Sequence, residues 1–314
     1  VRPALTICLS RQPDLAATMD IQIPALAWQP TTAGYSRTVY VDGHAVPVEV
    51  REGDKALHFA YDTDPARDAA LRGLLPAMFP AIVADLALRT HPVLLALRQQ
   101  YAGVILMRAN PFEALVLTVL SQNRSGETVR AVFPGLAAAA GGIAPARLAS
   151  LDLDTLTRLI RSAGPYKAPR LADTIRRILD DGPDVFDKTV REAPTEQALA
   201  YLEALPGVAH KTAACVLVFA AGTRTTLPVD THLFRVADRL GLARHDGRLT
   251  TTTRNAIIAS LLDYGPDLAP AHFLFLLVGR STCTAAAPRC GACFLRPHCP
   301  HATQATRQSA GAPR

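Results

Sequence analysis

From Ala4 to Tyr61 apolar and polar side chains alternate, which is the period of a strand that buries only one face. Asp42-Gly43 separates two such runs, 38–41 and 45–51, and an Asp-Gly pair in this position is a strong signal for a two-residue β-hairpin. A third run, 56–61, follows at once. We therefore predict a small antiparallel sheet domain within residues 1–88, and we interpret it as a scaffold because it lacks the spacing of a catalytic or metal site.

Helical periodicity replaces this alternation after Asp64-Pro65 and continues to the cysteine segment. Asn110, Pro111 and Glu113 supply an N-cap, a proline at the first helical position and an acidic third position, so a helix is predicted from there to about Gln122. The alanine and glycine run at 137–142 is predicted to be a loop. Further helices are predicted over 151–162, 170–180, 196–205 and 211–221, and one from Pro92.

A tight turn, Pro206-Gly207-Val208, separates two of these predicted helices. A glycine-containing hairpin that feeds a helix N-terminus exposes backbone N–H groups, which can bind a phosphate without reading sequence. The spacing alone is equally compatible with an ordinary helical corner.

Asp230 is predicted to cap a third helix that Gly241 ends, and Lys211 opens the preceding apolar helix. An N-cap aspartate usually has no further role. Here, however, a cation and a carboxylate at neighbouring helix starts could face one groove. We expect partial desolvation of Lys211 there to make its neutral amine available as a nucleophile.

Four of the six cysteines fall in one segment with the spacing C-x6-C-x2-C-x5-C: Cys283, Cys290, Cys293 and Cys299. This crowding indicates a closed metal site in a reducing compartment and not a disulfide framework. Zinc and an iron-sulfur cluster both accept four thiolates; the single C-x2-C favours iron-sulfur. Cys8 and Cys215 stand alone, and we predict that both pack in the core.

The charge pattern agrees with a polyanionic partner. The formal net charge is +6 and the isoelectric point is about 9.2, and Arg280, Arg289 and Arg296 interleave with the cysteines. Neither a signal sequence nor an apolar run of membrane-spanning length is evident. We therefore expect a cytoplasmic protein, associated with the nucleoid if bacterial, and a disordered tail over 301–314.

The sequence from Leu205 to Ala213, followed by Val229-Asp230-Thr231-His232 and Arg235, resembles the helix-hairpin-helix and catalytic-aspartate segment of the endonuclease III family. The resemblance implies a mainly α fold, with a helical barrel domain over 110–230 and a cluster domain over 89–109 and 231–300. It implies that the hairpin holds DNA, that Lys211 attacks the sugar C1′ of a flipped damaged nucleotide, and that Asp230 assists departure of the base. The cysteine arrangement is likewise that of the family's [4Fe-4S] cluster.

Two further segments extend the resemblance. Residues 120–123 resemble the loop that fills the gap left by the flipped base, with Gln122 as the candidate wedge, and residues 164–168 resemble a shortened Gly-x-Tyr-x-x-Lys-Ala region. Ala209 replaces the usual second hairpin glycine, where alanine would be strained at positive φ. The DNA-binding residues implied are Gln122, Asn123, Leu205, Gly207, Val208, Ala209, His210, Thr212 and His232.

Residues 91–101 and 110–115 instead resemble the entry to the helical domain of alkyladenine and 8-oxoguanine glycosylases, which leaves the substrate open. The leading hypothesis is a base excision repair glycosylase with AP lyase activity on an oxidised pyrimidine, acting as a monomer on double-stranded DNA that contains a damaged base or abasic site. One alternative is a monofunctional glycosylase for alkylated bases or 8-oxoguanine. The other is a DNA-binding protein that has lost turnover.

Overall fold

The computed structural model describes residues 4–86, 92–220, 225–243, 247–262 and 268–303. The chain divides into two compact units. The first unit contains Val1–Ile82 and Gly103–Gly222, and the second contains Val83–Ala102 and Thr223–Arg314.

A five-stranded antiparallel sheet opens the first unit, with the order β1-β5-β4-β3-β2. Its strands are β1 (Leu5–Cys8), β2 (Gln29–Pro30), β3 (Tyr35–Val41), β4 (His44–Gly53) and β5 (Ala56–Ala60). Val41 pairs with His44 across the turn, where Asp42 and Gly43 have φ of 50° and 81°. Two positive φ values match the type I′ geometry that twists with the strands, so the predicted hairpin is confirmed.

The sequence pattern did not predict the helix that lies between β1 and β2. Helix α1 (Leu15–Ile21) lies there, followed by a short 3-10 turn at Pro24–Ala27. The Asp14 side chain caps α1 by accepting a hydrogen bond from the Ala17 N–H at 2.8 Å, a signal that the alternating pattern obscured. The core prediction for Cys8 is also wrong, because alternation along β1 places it on the exposed face.

The remaining helices, in chain order, are α2 (Pro65–Met78), α3 (Pro92–Gln100), α4 (Pro111–Ser121), α5 (Gly126–Ala140), α6 (Pro145–Ala149), α7 (Leu153–Leu159), α8 (Lys167–Asp181), α9 (Pro183–Glu192), α10 (Thr195–Glu203), α11 (His210–Ala220), α12 (Thr231–Arg239), α13 (Thr251–Leu262) and α14 (Ala269–Ser281). Two short strands, β6 (Ala81–Ile82) and β7 (Ile105–Leu106), pair antiparallel. The described residues are therefore mostly helical, as predicted.

Helix boundaries show which local signals were reliable. Asn110 caps α4 through the Glu113 N–H at 2.7 Å, as predicted. The predicted loop at 137–142 is wrong for its first four residues, because α5 continues to Ala140 and is capped by Gly141, whose φ is 68°. Alanine has the highest helix propensity, and only the glycine adopts the left-handed conformation that stops the helix.

A buried ion pair joins the sheet to the helical part of the first unit. Arg37 on β3 makes two parallel hydrogen bonds of 3.0 Å to Glu113 on α4, and both side chains are less than a tenth exposed. The bidentate geometry compensates the cost of burying both charges. Helix α4 is buried from Pro111 to Leu120 and packs against α11, so the sheet anchors the helix on which the hairpin rests.

Helices α3, α12, α13 and α14 belong to the second unit, together with the cysteine segment. Helix α14 is its core and is buried from Ala269 to Gly279. Of the predicted disordered tail, residues 301–303 form a helical turn and residues 304–314 lie outside the described part. Within the described residues, none of the helices has the length and apolarity that a membrane crossing requires.

Candidate active site

The turn 204–209 joins α10 to α11 as a compact hairpin, here called the hairpin turn. Leu205 and Val208 are buried and joined by a 3.1 Å hydrogen bond from the Val208 N–H to the Leu205 carbonyl. Between them Gly207 has a φ of +76°, which a side chain would strain. The Thr174 hydroxyl on α8 donates to the Pro206 carbonyl at 2.7 Å, so a second helix fixes the turn.

The strain expected at Ala209 is absent. Among the described residues, those with positive φ include Gly207 but not Ala209. Gly207 supplies the positive φ of the hairpin turn. Ala209 is therefore accommodated without strain. The Ala209 carbonyl accepts from the Ala213 N–H at 3.0 Å and starts the hydrogen-bonding pattern of α11.

The first turn of α11 presents unpaired backbone donors. Within the described residues, the N–H groups of Ala209, His210 and Lys211 have no backbone acceptor. Ala209 and Lys211 are also exposed. Unpaired N–H groups at a helix N-terminus, with the favourable end of the helix dipole, suit an anionic ligand such as a phosphate.

Lys211 differs from its prediction in one respect. Its side chain is exposed, whereas the rest of α11 from Thr212 to Ala220 is buried. The expected partial desolvation of the amine is therefore wrong for the chain by itself, because the side chain leaves the helix on its solvent side at the first turn. Among the described residues, no carboxylate lies within ion-pair distance of this amine.

His210, a predicted DNA-binding residue, is already partnered on one side. Its Nδ1 lies 2.7 Å from Glu203 Oε1, and its Nε2 is buried with no hydrogen-bond partner in the described part of the chain. The contact joins the last residue of α10 to the first of α11, so it closes the hairpin across its base.

Gln122 connects the loop after α4 to the hairpin turn. Its side-chain amide donates to the Thr212 hydroxyl at 3.0 Å and to the Gly207 carbonyl at 3.3 Å. Thr212 is itself buried, so its hydroxyl group makes its hydrogen bond within the protein. The structure brings Gln122, Gly207 and Thr212 together, and their proposed contacts with DNA stay a prediction.

Gln122 lies at a corner of a β-turn, residues 121–124, here called the 121–124 turn. The Arg124 N–H donates to the Ser121 carbonyl at 3.1 Å, Gln122 has φ −55° and ψ 116°, and Asn123 has φ +54°. These angles resemble a type II turn, which requires positive φ at its third residue and favours glycine or asparagine there. Asn123 is exposed.

Lys167, at the start of α8, is a residue whose position sequence reasoning did not explain. It is 2% exposed, and its Nζ donates to the carbonyls of Leu120 and Gln122, each at 2.7 Å. Burial, and secondarily the charge of Arg124, lowers the pKa of Lys167 to about 8. The signal was the lysine of the 164–168 segment, but nothing local indicated that its amine points inward.

Asp230 is confirmed as the N-cap of α12 in the second unit. Its carboxylate accepts from the Leu233 N–H at 2.8 Å, and the residue is partly exposed. His232, two residues later, packs against Gly279, and a Cβ added at Gly279 would lie 2.9 Å from the Cβ of His232. The Nδ1 of His232 lies 3.2 Å from the Arg235 guanidinium. The predicted meeting of Asp230 with Lys211 at one groove stays a prediction.

Two arginines of α12 attach that helix to the cysteine segment. Arg235 donates to the carbonyls of Cys283 at 2.9 Å and Gly279 at 2.8 Å. Arg239 donates to the Cys283 sulfur at 3.2 Å, and its own carbonyl accepts from the Cys299 thiol at 3.3 Å. The helix capped by Asp230 is thus held at one side by the segment that carries the thiols.

The four thiols of the segment are free and partly buried. Burial is the largest cause that raises the pKa of Cys299, and the neighbouring charges of Cys283 and Cys293 raise it further. The pKa of Cys293 is raised by burial and by Cys283 and Cys290. The thiols therefore lie within electrostatic range of one another, although no group of three His, Cys, Asp or Glu side chains within the described ranges is placed to hold a metal ion.

Comparison with known proteins agrees with the hairpin and its flanking helices. Residues 116–259 match the family model described as HhH-GPD superfamily base excision DNA repair protein. An Endonuclease III of Synechocystis sp. is 33% identical over 218 residues, which are 68% of this chain and 93% of that protein. The chain belongs to the endonuclease III family. It is therefore a base excision DNA repair enzyme of the DNA glycosylase and AP lyase class.

Two solved structures have a fold similar to that of this chain. A non-covalent Endonuclease III-DNA complex has 29% identity and a TM-score of 0.51, covering 64% of this chain and 88% of that one. An 8-oxoguanine glycosylase/lyase from Clostridium acetobutylicum has 16% identity and a TM-score of 0.68, covering 87% of this chain and 95% of that one. The second likeness concerns the fold alone. It covers more of this chain than the Endonuclease III complex does, 87% against 64%.

The donor set suits the cofactor expected of an endonuclease III family member. Four thiols within one loop-rich segment are the ligands of a four-iron cluster. Burial raises the pKa of the Cys293 and Cys299 thiols, and a bound cation would offset this by stabilising their thiolates. The cysteine segment therefore fits an iron-sulfur cluster by donor type and because all four cysteines lie within one short stretch of chain.

Proposed function

We propose that this endonuclease III relative binds double-stranded DNA as a monomer, removes a damaged base and cuts the strand at the resulting abasic site. We propose an oxidised pyrimidine as the base, by likeness to endonuclease III. The observation that carries the mechanism is Lys211: an exposed amine, free of carboxylate partners in the described chain, directly after the hairpin turn. DNA bound there would cover the amine and supply the desolvation that the free chain lacks.

The reaction begins at the sugar C1′ of the extruded nucleotide. The Lys211 nitrogen forms a bond to C1′, the N-glycosidic bond breaks, and its electron pair leaves with the base, which takes up a proton. Loss of a proton from nitrogen and opening of the sugar ring give a Schiff base. Removal of a C2′ proton then expels the 3′ phosphate, and hydrolysis of the imine releases Lys211. Two easier steps replace one difficult displacement.

Asp230 has two roles in this proposal. As the N-cap of α12, it accepts a 2.8 Å hydrogen bond from the Leu233 N–H through one carboxylate oxygen. We propose that the rest of the carboxylate accepts the proton of the attacking amine and stabilises positive charge on the sugar as the base departs. The cap fixes the carboxylate in one orientation, so that little reorganisation is needed during the reaction.

The hairpin turn is the proposed grip on the DNA backbone. Its unpaired N–H groups at Ala209, His210 and Lys211 would bind a phosphate. Arg170 on α8 adds a cation, because its methylene carbons lie against Gly207 and its side chain is exposed. Contacts of this kind position DNA without reading its sequence.

We propose that Cys283, Cys290, Cys293 and Cys299 hold a [4Fe-4S] cluster. When bound, the cluster supplies a covalent cross-link and a redox centre to the segment. The chain's own residues then hold the segment against α12, through Arg235 and Arg239. The cysteine segment would also carry cations toward the DNA backbone.

Borohydride trapping tests the lyase mechanism. The wild-type protein, incubated with duplexes that each carry one defined lesion, should form a stable covalent adduct in borohydride, since only a Schiff base is reduced to a stable link. Lys211→Gln should abolish the adduct, whereas Lys188→Gln, at an exposed position on α9, should leave it unchanged. Base release without any trapped adduct would refute the Schiff-base route.

A second candidate, a monofunctional glycosylase, applies if bound DNA leaves the exposed amine of Lys211 in water. An amine left in water lacks the desolvation that makes lysine a neutral nucleophile, so Asp230 would support attack by water and Lys211 would contact DNA only. Alkylated bases or 8-oxoguanine would be the substrates. In the same experiment this candidate predicts base release with no adduct, and a protein that binds DNA without turnover predicts neither.

A further inference from the structure

Lys167 is an unusual buried cation. It is 2% exposed, yet no carboxylate in the described part of the chain lies within ion-pair distance of its amine. Lysine is rarely buried unless it is paired, because desolvation of the ammonium group is costly. Its partners are instead two backbone carbonyls, those of Leu120 and Gln122, each at 2.7 Å.

These carbonyls lie at the C-terminal end of α4, where helical carbonyls lack intrahelical partners and the dipole favours a cation. Exposed helix ends usually satisfy such groups with water. Here the Lys167 amine donates to one carbonyl before the 121–124 turn, that of Leu120, and to one carbonyl within it, that of Gln122. The amine therefore bridges the helix end and the corner of the turn.

The bond to the Gln122 carbonyl selects one form of the turn. Type I and type II turns differ by a rotation of the central peptide, which reverses the direction of the carbonyl at the second position. The observed angles, ψ 116° at Gln122 and φ +54° at Asn123, belong to the type II form. Asparagine tolerates the left-handed φ that the type II form requires, so Asn123 permits this form, and a contact with the Gln122 carbonyl favours it over type I. The ammonium of Lys167 supplies this contact.

A second contact runs in the opposite direction between the same two loops. Arg124 Nε donates to the Ala163 carbonyl at 3.1 Å. On the other side, the Lys167 N–H donates to the Gly164 carbonyl at 3.0 Å, which closes the tight turn at φ +120° that starts α8. The 121–124 turn is thus held at both ends by residues 163–167.

We propose that Lys167 is a positioning residue for damage recognition: it holds the 121–124 turn so that Gln122 and Asn123 are presented to the gap left by an extruded nucleotide. This inference rests on the proposed function, since it gives those two side chains a task on DNA. Lys167 itself touches no substrate in the proposal. It acts through the conformation of the turn.

Affinity for DNA with a gap in the stack tests the proposal. The measurement is the ratio of Kd for an undamaged duplex to Kd for the same duplex with one tetrahydrofuran abasic analogue, for the full-length protein. Lys167→Met keeps the length of the stem and removes the donors, and should lower this ratio about tenfold, the effect of one to two lost hydrogen bonds. Lys188→Met, an exposed lysine on α9, is the matched control and should leave the ratio unchanged.

A double-mutant cycle separates positioning from a structural role. Gln122→Ala/Asn123→Gly removes both side chains while glycine keeps the positive φ. In that background Lys167→Met should not lower the ratio further, because the residues through which it acts are gone. A loss of thermal stability, in contrast, should persist in both backgrounds. An equal loss of the ratio in both backgrounds would overturn the inference.

Two other outcomes are distinct. If the wild-type protein does not prefer the abasic analogue, or if Gln122→Ala/Asn123→Gly leaves its preference intact, the proposed function of the turn fails and the inference fails with it. If that variant loses the preference and Lys167→Met does not, only the inference is overturned. Lys167→Gln, polar but too short to reach both carbonyls, carries the same expectation should the methionine variant not fold.

Discussion

Asp230 allows the two proposed roles of one side chain to be separated. Asparagine is as good an N-cap as aspartate, so Asp230→Asn should keep the hydrogen bond from the Leu233 N–H, 2.8 Å in the structure, and remove the acid. Asp230→Ala removes both. The expected cost in the free energy of unfolding is close to zero for asparagine and about 1 kcal/mol for alanine.

Activity should respond differently from stability. If the carboxylate takes the proton of the amine and stabilises the sugar cation, both variants should lower the single-turnover rate of base release by about 10² to 10⁴-fold. The assay combines urea denaturation of each variant with single-turnover kinetics on a duplex that carries the best substrate from the lesion panel. Affinity for the abasic-analogue duplex is the control, and it should change little.

The result that would refute this reasoning is specific. If Asp230→Asn retains the wild-type rate within a factor of about three while Asp230→Ala loses stability as expected, the carboxylate is only a cap. The enzyme would then rely on Lys211 without an acidic partner at this position.

Four further predictions concern other parts of the molecule. Burial lowers the pKa of Lys167 to about 8, so above that pH the unfolded chain binds a proton that the folded chain does not. The free energy of unfolding of the wild type, relative to Lys167→Met, should therefore rise from pH 8 to about 10.5 in urea denaturation. A difference that does not change with pH would contradict the buried amine. Arg170→Met should reduce the slope of log Kobs for duplex DNA against log salt by about 0.9, whereas Arg176→Met on the same helix should not; equal slopes would remove Arg170 from the grip. Cys290→Ser should lose iron by elemental analysis after expression with iron, and full retention would exclude it as a ligand. Ala209→Gly should leave duplex affinity within about twofold, since φ there is not positive, and a large gain would show that alanine does impair the hairpin turn.

Local chemistry accounts for the features that the sequence predicted correctly. The Asp42-Gly43 turn, the cap of α4 at Asn110 and the cap of α12 at Asp230 each depend on one or two neighbouring residues. The glycine at 207 likewise requires only its own backbone conformation. Such signals survive folding because no distant group competes with them.

The misses have a different cause. Helix α1 was hidden because its seven residues lie within an alternating pattern, and only Asp14 marked its start. The alanine and glycine run does not mark the end of α5, because its alanines continue the helix and only Gly141 ends it. The exposure of Lys211 and the burial of Lys167 depend on which side of a helix start meets another element, and spacing along the chain does not encode that.

The hydrogen bonds of Gln122 have a consequence for how DNA would be searched. In the free protein its amide is already satisfied by Thr212 and Gly207, at 3.0 and 3.3 Å. Entry of this side chain into a duplex must first break both contacts, a net loss of about 1 to 3 kcal/mol if each is worth its usual amount. Intact stacked DNA offers no vacancy that repays this loss. If Gln122 fills the gap as proposed, its side chain would stay withdrawn along undamaged sequence and advance only where a base has left its place.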